Sequence, residues 1–143
     1  MNIEFQKALE KKRILLFKRG KELVKHELKS AQDDLKEAED RLRKGRYKYA
    51  TINAYYSMFH SARAFIYSKG FREKSHYYLI VALQALFVDK GLLDRSLLEA
   101  FHDAMVLRED ADYHGSFSKE GAQSNIKSAQ AFLNIAKSTP SLK

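Results

Sequence analysis

Apolar residues recur along the chain with the spacing of α-helices rather than that of β-strands. From Glu22 onward, one apolar stripe advances in alternating steps of four and three residues: Val24, Leu28, Ala31, Leu35, Ala38 and Leu42. Gly45 follows the stripe, in the position where helices commonly end. The pattern predicts a long helix between these two points, and no sustained alternation of apolar and polar residues anywhere in the sequence predicts a strand.

A second long helix is predicted from Arg46 to Lys69, with Gly70 closing it. Small residues recur along one side of it and would let a neighbouring helix approach closely: Ala50, Ala54, Ser57, Ser61 and Ala64. Large apolar residues occupy most of the remaining circumference, so we expect this helix to be the central and most buried one. His60 lies on it and is interpreted as a hydrogen-bonded core histidine rather than as an acid or base.

Three further helices follow, each preceded by a residue that commonly caps a helix. The caps are Ser75 for a helix over residues 76–90, Asp94 or Ser96 for the next helix, and Ser118 for the last. Each of these segments carries apolar residues at helical spacing.

Near the N-terminus, four apolar residues suggest a short helix: Ile3, Phe5, Ala8 and Leu9. The apolar run ILLF follows, before a break at Gly20. The predicted fold class is therefore all-α, an up-and-down bundle of four long helices plus a short accessory N-terminal helix. Residues 1–20 are predicted to be an accessory segment and residues 21–143 to form the bundle.

The composition limits the classes of protein that fit. A chain of 143 residues, 45% apolar and 31% charged, matches one globular domain. It contains no cysteine, and no two of its five histidines form the i, i+4 pair of a helical zinc site. Asp110 and Asp112 with His114 could hold a divalent cation, but an exposed helix terminus explains them as well. We therefore predict neither a metal nor a cofactor.

Two further features bear on location. No apolar run approaches the roughly 20 residues that cross a bilayer. The first residues, MNIEFQKALEKKR, carry charges where a signal peptide would be apolar. A cytoplasmic protein without a membrane partner is expected.

The formal net charge of +8 is concentrated in the first third of the chain. Residues 1–50 hold 15 of the 26 lysines and arginines but only nine of the 18 acidic residues. Such an excess can attract a polyanion at low ionic strength. Because the lysines alternate with acids instead of forming a block, a solvated helix face explains them equally well.

The stretch LREDADYHG, residues 107–115, is the main chemical candidate. Arg108 falls on the inward stripe of its helix, where a guanidinium needs a carboxylate partner or an open cleft. On an unbroken helix His114 would lie about 120° around and about 9 Å along from it. The two can meet only if the helix ends between them or a second subunit supplies one of them. Asp110, Asp112 and Gly115 weaken the helix and predict that the chain turns after Asp110.

Arginine and histidine together can cleave RNA without a metal. An imidazole can take a proton from a ribose 2′-hydroxyl or give one to the leaving oxygen. A guanidinium can bind two phosphate oxygens and stabilise the charge that develops on them. The alternative is an ion pair between Arg108 and Asp112, with His114 near a helix C-terminus that favours a cation. The spacing leaves both interpretations open.

The segments INAYYSMFHSARAFIYSKGFREKSHYYL and LREDADYHG together resemble the HEPN family (higher eukaryote and prokaryote nucleotide-binding domains). The resemblance is to its prokaryotic toxin-like branch with the AYYxMFHxARA signature, and it covers about residues 22–138. It implies a helical bundle that commonly dimerises and a metal-independent ribonuclease site in the dimer cleft. In that site Arg108 would hold the scissile phosphate and His114 would act as acid or base. Asn53, Asp112 and Tyr113 are expected to bind substrate or support the pair.

The resemblance also implies partners: RNA, a second copy of the chain, and a nucleotidyltransferase antitoxin. One departure from the family pattern is Glu109, which stands where active members usually carry Asn, Asp or His. The alternative function is a non-catalytic helical module that binds a nucleotide or a partner nucleotidyltransferase.

Overall fold

The computed structural model describes residues 2–142, in which six α-helices surround one core and two short strands form a ribbon. The elements are α1 (Ile3–Glu10), β1 (Ile14–Leu16), α2 (Gly20–Arg43), α3 (Tyr47–Ser68), β2 (Phe71–Glu73), α4 (His76–Leu83), α5 (Arg95–Tyr113) and α6 (Lys119–Ser138). The predicted all-α fold class is confirmed, with α2, α3, α5 and α6 as its four long helices. Among these residues, no helix is both long and apolar enough to cross a lipid bilayer.

The central position predicted for the second long helix is confirmed. α3 packs against α2, α5 and α6, and all five small residues of its stripe are fully buried. Ser57 donates its hydroxyl to the carbonyl oxygen of Ala31 on α2 at 2.8 Å, a contact that only closely spaced helices can make. Large aromatic side chains fill the core around the stripe: Tyr55, Phe65, Phe87, Phe101 and Phe132.

The helix starts follow local capping chemistry. Of the two predicted caps for α5, Asp94 is the one observed, and its carboxylate accepts the amide of Ser96 at 2.8 Å. Ser118 accepts the amide of Gly121 at 2.9 Å, as predicted for α6. Ser75 stands before α4 as predicted, but its side chain makes no capping hydrogen bond. α4 then continues into a wider π-helical turn over Gln84–Val88.

A short antiparallel ribbon joins the N-terminal segment to the chain that follows α3. Ile14 pairs with Glu73, Leu15 with Arg72 and Leu16 with Phe71. The sequence pattern predicts no strand, and the ribbon corrects this: three residues are too few to establish a period of two, and the partners lie far apart in the chain. Together with Phe5 and Ala8 of α1, Ile14 is buried in the same core as the long helices.

α2 begins at Gly20, four residues after the end of β1, and passes very close to α3 there. A Cβ atom at this position would lie 2.7 Å from the carbonyl oxygen of Tyr67. Glycine is therefore required here by the close approach of two backbones rather than by an unusual backbone angle.

Replacing Gly20 by alanine is expected to lower the free energy of unfolding by about 1–3 kcal/mol, because the new Cβ must push α2 away from α3. Urea denaturation followed by circular dichroism measures this change. Lys21→Ala, at the exposed next position, is the matched control and should stay within about 0.5 kcal/mol of the parent protein. Equal losses in the two variants would contradict the close-contact explanation.

Candidate functional site

The helix that carries LREDADYHG runs further than its sequence predicts. α5 extends to Tyr113 and His114 is its C-cap, so the predicted turn after Asp110 is wrong. The carbonyl oxygen of Asp110 accepts the amides of both His114 and Ser116, at 3.1 Å and 3.0 Å. These hydrogen bonds close the last turn of the helix by giving the carbonyl oxygen of Asp110 two donors. Gly115 then reverses the chain with a φ of 62°.

Arg108 points inward, as the apolar stripe predicts, and its side chain is 12% exposed. Its Nη2 donates to the hydroxyl of Tyr56 at 2.9 Å and lies 3.2 Å from Oδ2 of Asp112. The guanidinium carbon lies 5.3 Å from the ring centre of Tyr56 and 5.9 Å from that of Tyr55. Its Nε is buried without a hydrogen-bond partner in the described part of the chain. The Nη2 of Arg108 thus has two partners, whereas its Nε has no hydrogen-bond acceptor.

The other predicted site residues divide into two groups. Asp112 pairs with Arg108, and the ring centre of Tyr113 lies 5.2 Å from the guanidinium carbon. His114 is exposed, and within residues 2–142 no hydrogen bond joins its imidazole to Arg108 or any other side chain. Asn53 donates to Oδ1 of Asp34 at 3.2 Å instead of contacting Arg108.

One protomer therefore shows the ion pair and the C-terminal histidine of the alternative interpretation. It does not bring the guanidinium and the imidazole of the predicted pair together.

The structure places a further histidine beside Arg108 that no sequence pattern indicates as a site residue. His76 is the first residue of α4, and its Nδ1 lies 2.6 Å from the hydroxyl of Tyr55. Its ring packs against Phe59, with centres 4.6 Å apart, and meets the edge of Tyr56. Burial lowers the pKa of His76, and the cations of Arg108 and Arg63 lower it further. The sequence places His76 only at a helix start, and which side chains it meets depends on how α4 docks on α3.

A second polar group lies along the same helix, between α3, α2 and β2. His60 lies 3.4 Å from Glu27 and 3.6 Å from Asp34, so its interpretation as a hydrogen-bonded histidine agrees with the geometry. Arg63 donates to Glu73 at 2.8 Å and lies 3.6 Å from Glu27. Burial raises the pKa of Glu73 although Arg63 opposes the shift. Over residues 2–142, no group of three or more acidic or histidine side chains could hold a metal ion.

Residues 24–139 match the model of the HEPN domain family. The chain belongs to the HEPN domain family. The AYYxMFHxARA signature that indicated this family lies on α3, where it supplies Tyr55, Tyr56 and Phe59 to the surroundings of Arg108 and His76.

Curated relatives are archaeal chains of similar length. The "Putative toxin MJ0142" of Methanocaldococcus jannaschii is 28% identical over 112 residues, which is 77% of this chain and 76% of the relative. The "Putative toxin MJ0605" of the same organism is 29% identical, over 86% of this chain and 92% of the relative. A "UPF0332 protein" of Archaeoglobus fulgidus is 30% identical, over 77% of this chain and 89% of the relative.

The crystal structure of TT1696 from Thermus thermophilus has the same fold. It superposes with a TM-score of 0.69 and covers 82% of this chain and 98% of its own, at 17% identity. At this identity the likeness establishes the helical architecture alone.

The pKa of His76 predicts a specific pH dependence of stability. Because the pKa in the folded protein lies below the ordinary value of 6.5, the unfolded chain binds this proton more readily. The stability that neutral His76 contributes is complete above about pH 7 and is lost as the pH falls through 6.5 toward the folded pKa. His76→Asn should therefore flatten the curve of unfolding free energy against pH in this window.

Urea denaturation at a series of pH values measures the slope. His26→Asn, which changes an exposed histidine of α2, should leave the slope of the parent protein unchanged. A His76→Asn curve parallel to that of the parent protein would show that His76 is not responsible.

Proposed function

We propose that the protein is a metal-independent endoribonuclease of toxin type, in which Arg108 and His114 cleave an RNA phosphodiester. The observation that carries this proposal is the inward guanidinium of Arg108 with its unpartnered Nε. A buried donor without an acceptor is costly, and an anionic oxygen entering from solvent would satisfy it. Membership of the HEPN family and the names of the two toxin-like relatives support the same assignment.

The chemistry requires one cation and one group that moves a proton. The imidazole of His114 takes the proton of the ribose 2′-hydroxyl as the bond from O2′ to phosphorus forms. The bond from phosphorus to O5′ then breaks, and the departing oxygen receives a proton from the imidazolium. Arg108 binds the non-bridging oxygens and stabilises the negative charge that grows on them. Asp112 and Tyr113 hold the guanidinium in place.

A homodimer would bring the two residues together. Within residues 2–142 of one protomer no hydrogen bond joins Arg108 to His114, so in this proposal the histidine of a second copy approaches the arginine of the first. Large hydrophobic side chains in the last two turns of α5 and just after it are suited to that contact, since Val106 is 44%, Tyr113 68% and Phe117 51% exposed. The basic excess of residues 1–50 would draw RNA toward the dimer.

A second function is favoured by the ion pair that Arg108 makes with Asp112 and by the acid at Glu109. In this case the protein is a non-catalytic module that binds a nucleotide or a partner nucleotidyltransferase. The toxin proposal also includes a nucleotidyltransferase antitoxin, so the presence of such a partner does not separate the two functions. RNA cleavage by the isolated protein does separate them, because only the ribonuclease proposal predicts it.

The purified protein is expected to cleave single-stranded RNA in the presence of EDTA. Arg108→Ala and His114→Ala should each lower the cleavage rate at least about 100-fold, because each removes a charge or a proton carrier from the transition state. Arg95→Ala and His102→Ala are matched controls, since they change the same residue types on α5 and should retain activity. Unchanged cleavage in both site variants would rule out the assignment, and inactivity of the parent protein would favour the non-catalytic module.

Mixing the two inactive variants tests whether the site is shared. If Arg108 of one copy works with His114 of the other, a heterodimer of Arg108→Ala and His114→Ala holds one intact site. Random exchange of subunits should then restore about one quarter of the parent activity. A site contained within one protomer predicts no recovery, and size-exclusion chromatography of the mixture verifies that dimers are present.

A further inference from the structure

We propose that His76 is a second phosphate-binding residue beside Arg108. It donates a hydrogen bond to the phosphate from the Nε2–H of a neutral imidazole. This inference deepens the ribonuclease function proposed above and rests on it for the identity of the anion, the phosphate of an RNA backbone. In this arrangement Arg108 supplies the charge, His76 supplies a directed hydrogen bond, and His114 moves the proton.

The ring of His76 is fixed by three aromatic side chains of α3. It stacks on Tyr55 with ring centres 5.6 Å apart, lies 4.6 Å from Phe59, and meets the edge of Tyr56 at 6.1 Å. The guanidinium of Arg108 contacts the same two tyrosines. The imidazole of His76 and the guanidinium of Arg108 therefore contact the same pair of rings, those of the adjacent residues Tyr55 and Tyr56.

The hydrogen bond to Tyr55 determines which ring nitrogen of His76 carries the proton. Tyr55 is fully buried, and within residues 2–142 the only hydrogen bond of its hydroxyl is the one to Nδ1 of His76, at 2.6 Å. If Nδ1 carried a proton, the hydroxyl hydrogen of Tyr55 would be buried without an acceptor, at a cost of about 1–3 kcal/mol. The hydroxyl therefore donates to Nδ1, which leaves the proton of the neutral ring on Nε2.

The surroundings of His76 also oppose a positive charge on it. Its place at the first position of α4 puts it at the positive end of the helix dipole. Burial and the cations of Arg108 and Arg63 lower its pKa, and only Glu109 opposes them. Burial raises the pKa of Tyr55, so its hydroxyl keeps the proton that it donates. His76 is thus a neutral donor at pH 7 rather than a general base.

Two N–H groups on side chains that contact Tyr55 and Tyr56 lack acceptors in the described chain. The Nε of Arg108 is buried and unpaired, and no residue from 2 to 142 accepts a hydrogen bond from Nε2 of His76. Two donors and one positive charge match a ligand that has several oxygen acceptors and a negative charge, which describes a phosphate group.

The first test is NMR of the imidazole nitrogens in the parent protein, with inorganic phosphate as the probe. His76 is expected to be the neutral Nε2–H tautomer at pH 7, and phosphate should shift both its Nε2–H signal and the Nε–H signal of Arg108. A proton on Nδ1, or phosphate shifts that spare His76, would overturn the proposal. So would the absence of any phosphate binding.

The second test uses variants that separate the donor from the ring. His76→Phe keeps an aromatic ring and removes the donor, so the dissociation constant for phosphate should rise about tenfold or more. His76→Gln keeps an N–H donor and should stay within about threefold of the parent, and His26→Phe is the control on the exposed face of α2. Unchanged phosphate binding by His76→Phe contradicts the proposal. If His76→Phe does not fold, the NMR measurement on the parent protein and the phosphate affinity of His76→Gln test the proposal.

The outcomes separate this inference from the ribonuclease assignment. Phosphate binding through His76 without RNA cleavage in EDTA would overturn the ribonuclease function and leave this donor role in place. RNA cleavage with an unchanged KM in His76→Phe would overturn the donor role of His76 and leave the ribonuclease function in place.

Discussion

The buried guanidinium of Arg108 is the constraint on which the candidate site depends. A cation on the inner side of a helix must be held by charge, hydrogen bonds or aromatic faces. Here the carboxylate of Asp112 supplies the charge, the hydroxyl of Tyr56 accepts a hydrogen bond, and the ring of Tyr55 supplies the aromatic face. These partners satisfy part of its donor capacity and leave Nε without an acceptor. The same contacts that make the burial tolerable thus leave one donor free, and it is this donor that we propose binds an anion.

α3 serves both the core and the site because its two sides carry different residues. Its small residues let α2 approach closely, and its tyrosines and Phe59 form the surface on which Arg108 and His76 rest. A change at Tyr55, Tyr56 or Phe59 would therefore alter the surroundings of Arg108 and His76. The signature segment of α3 thus contributes both to the packing of the central helix and to the surroundings of Arg108 and His76.

The short ribbon gives the N-terminal segment a part in positioning the site. β2 ends at Glu73, three residues before His76, and the amide of Lys74 donates to the carbonyl oxygen of Arg13 at 3.0 Å. The buried carboxylate of Glu73 also accepts a hydrogen bond from the half-buried Arg63, which links the end of β2 to α3. Residues near the N-terminus thus help to set where α4 begins, and with it the position of the His76 ring.

Helix periodicity, caps and glycines were enough to predict the all-α fold, the central helix and the inward direction of Arg108, because each follows from contacts within one or two turns. Two local features were missed, the three-residue strands and the last turn of α5, since neither leaves a periodic signal. What only the tertiary structure decided is which side chains share a site. Arg108 and His76 contact the same rings because α4 and α5 both pack on the tyrosines of α3. His114 lies only six residues from Arg108, yet no hydrogen bond joins the two within residues 2–142, because α5 continues to Tyr113 and its rotation separates them.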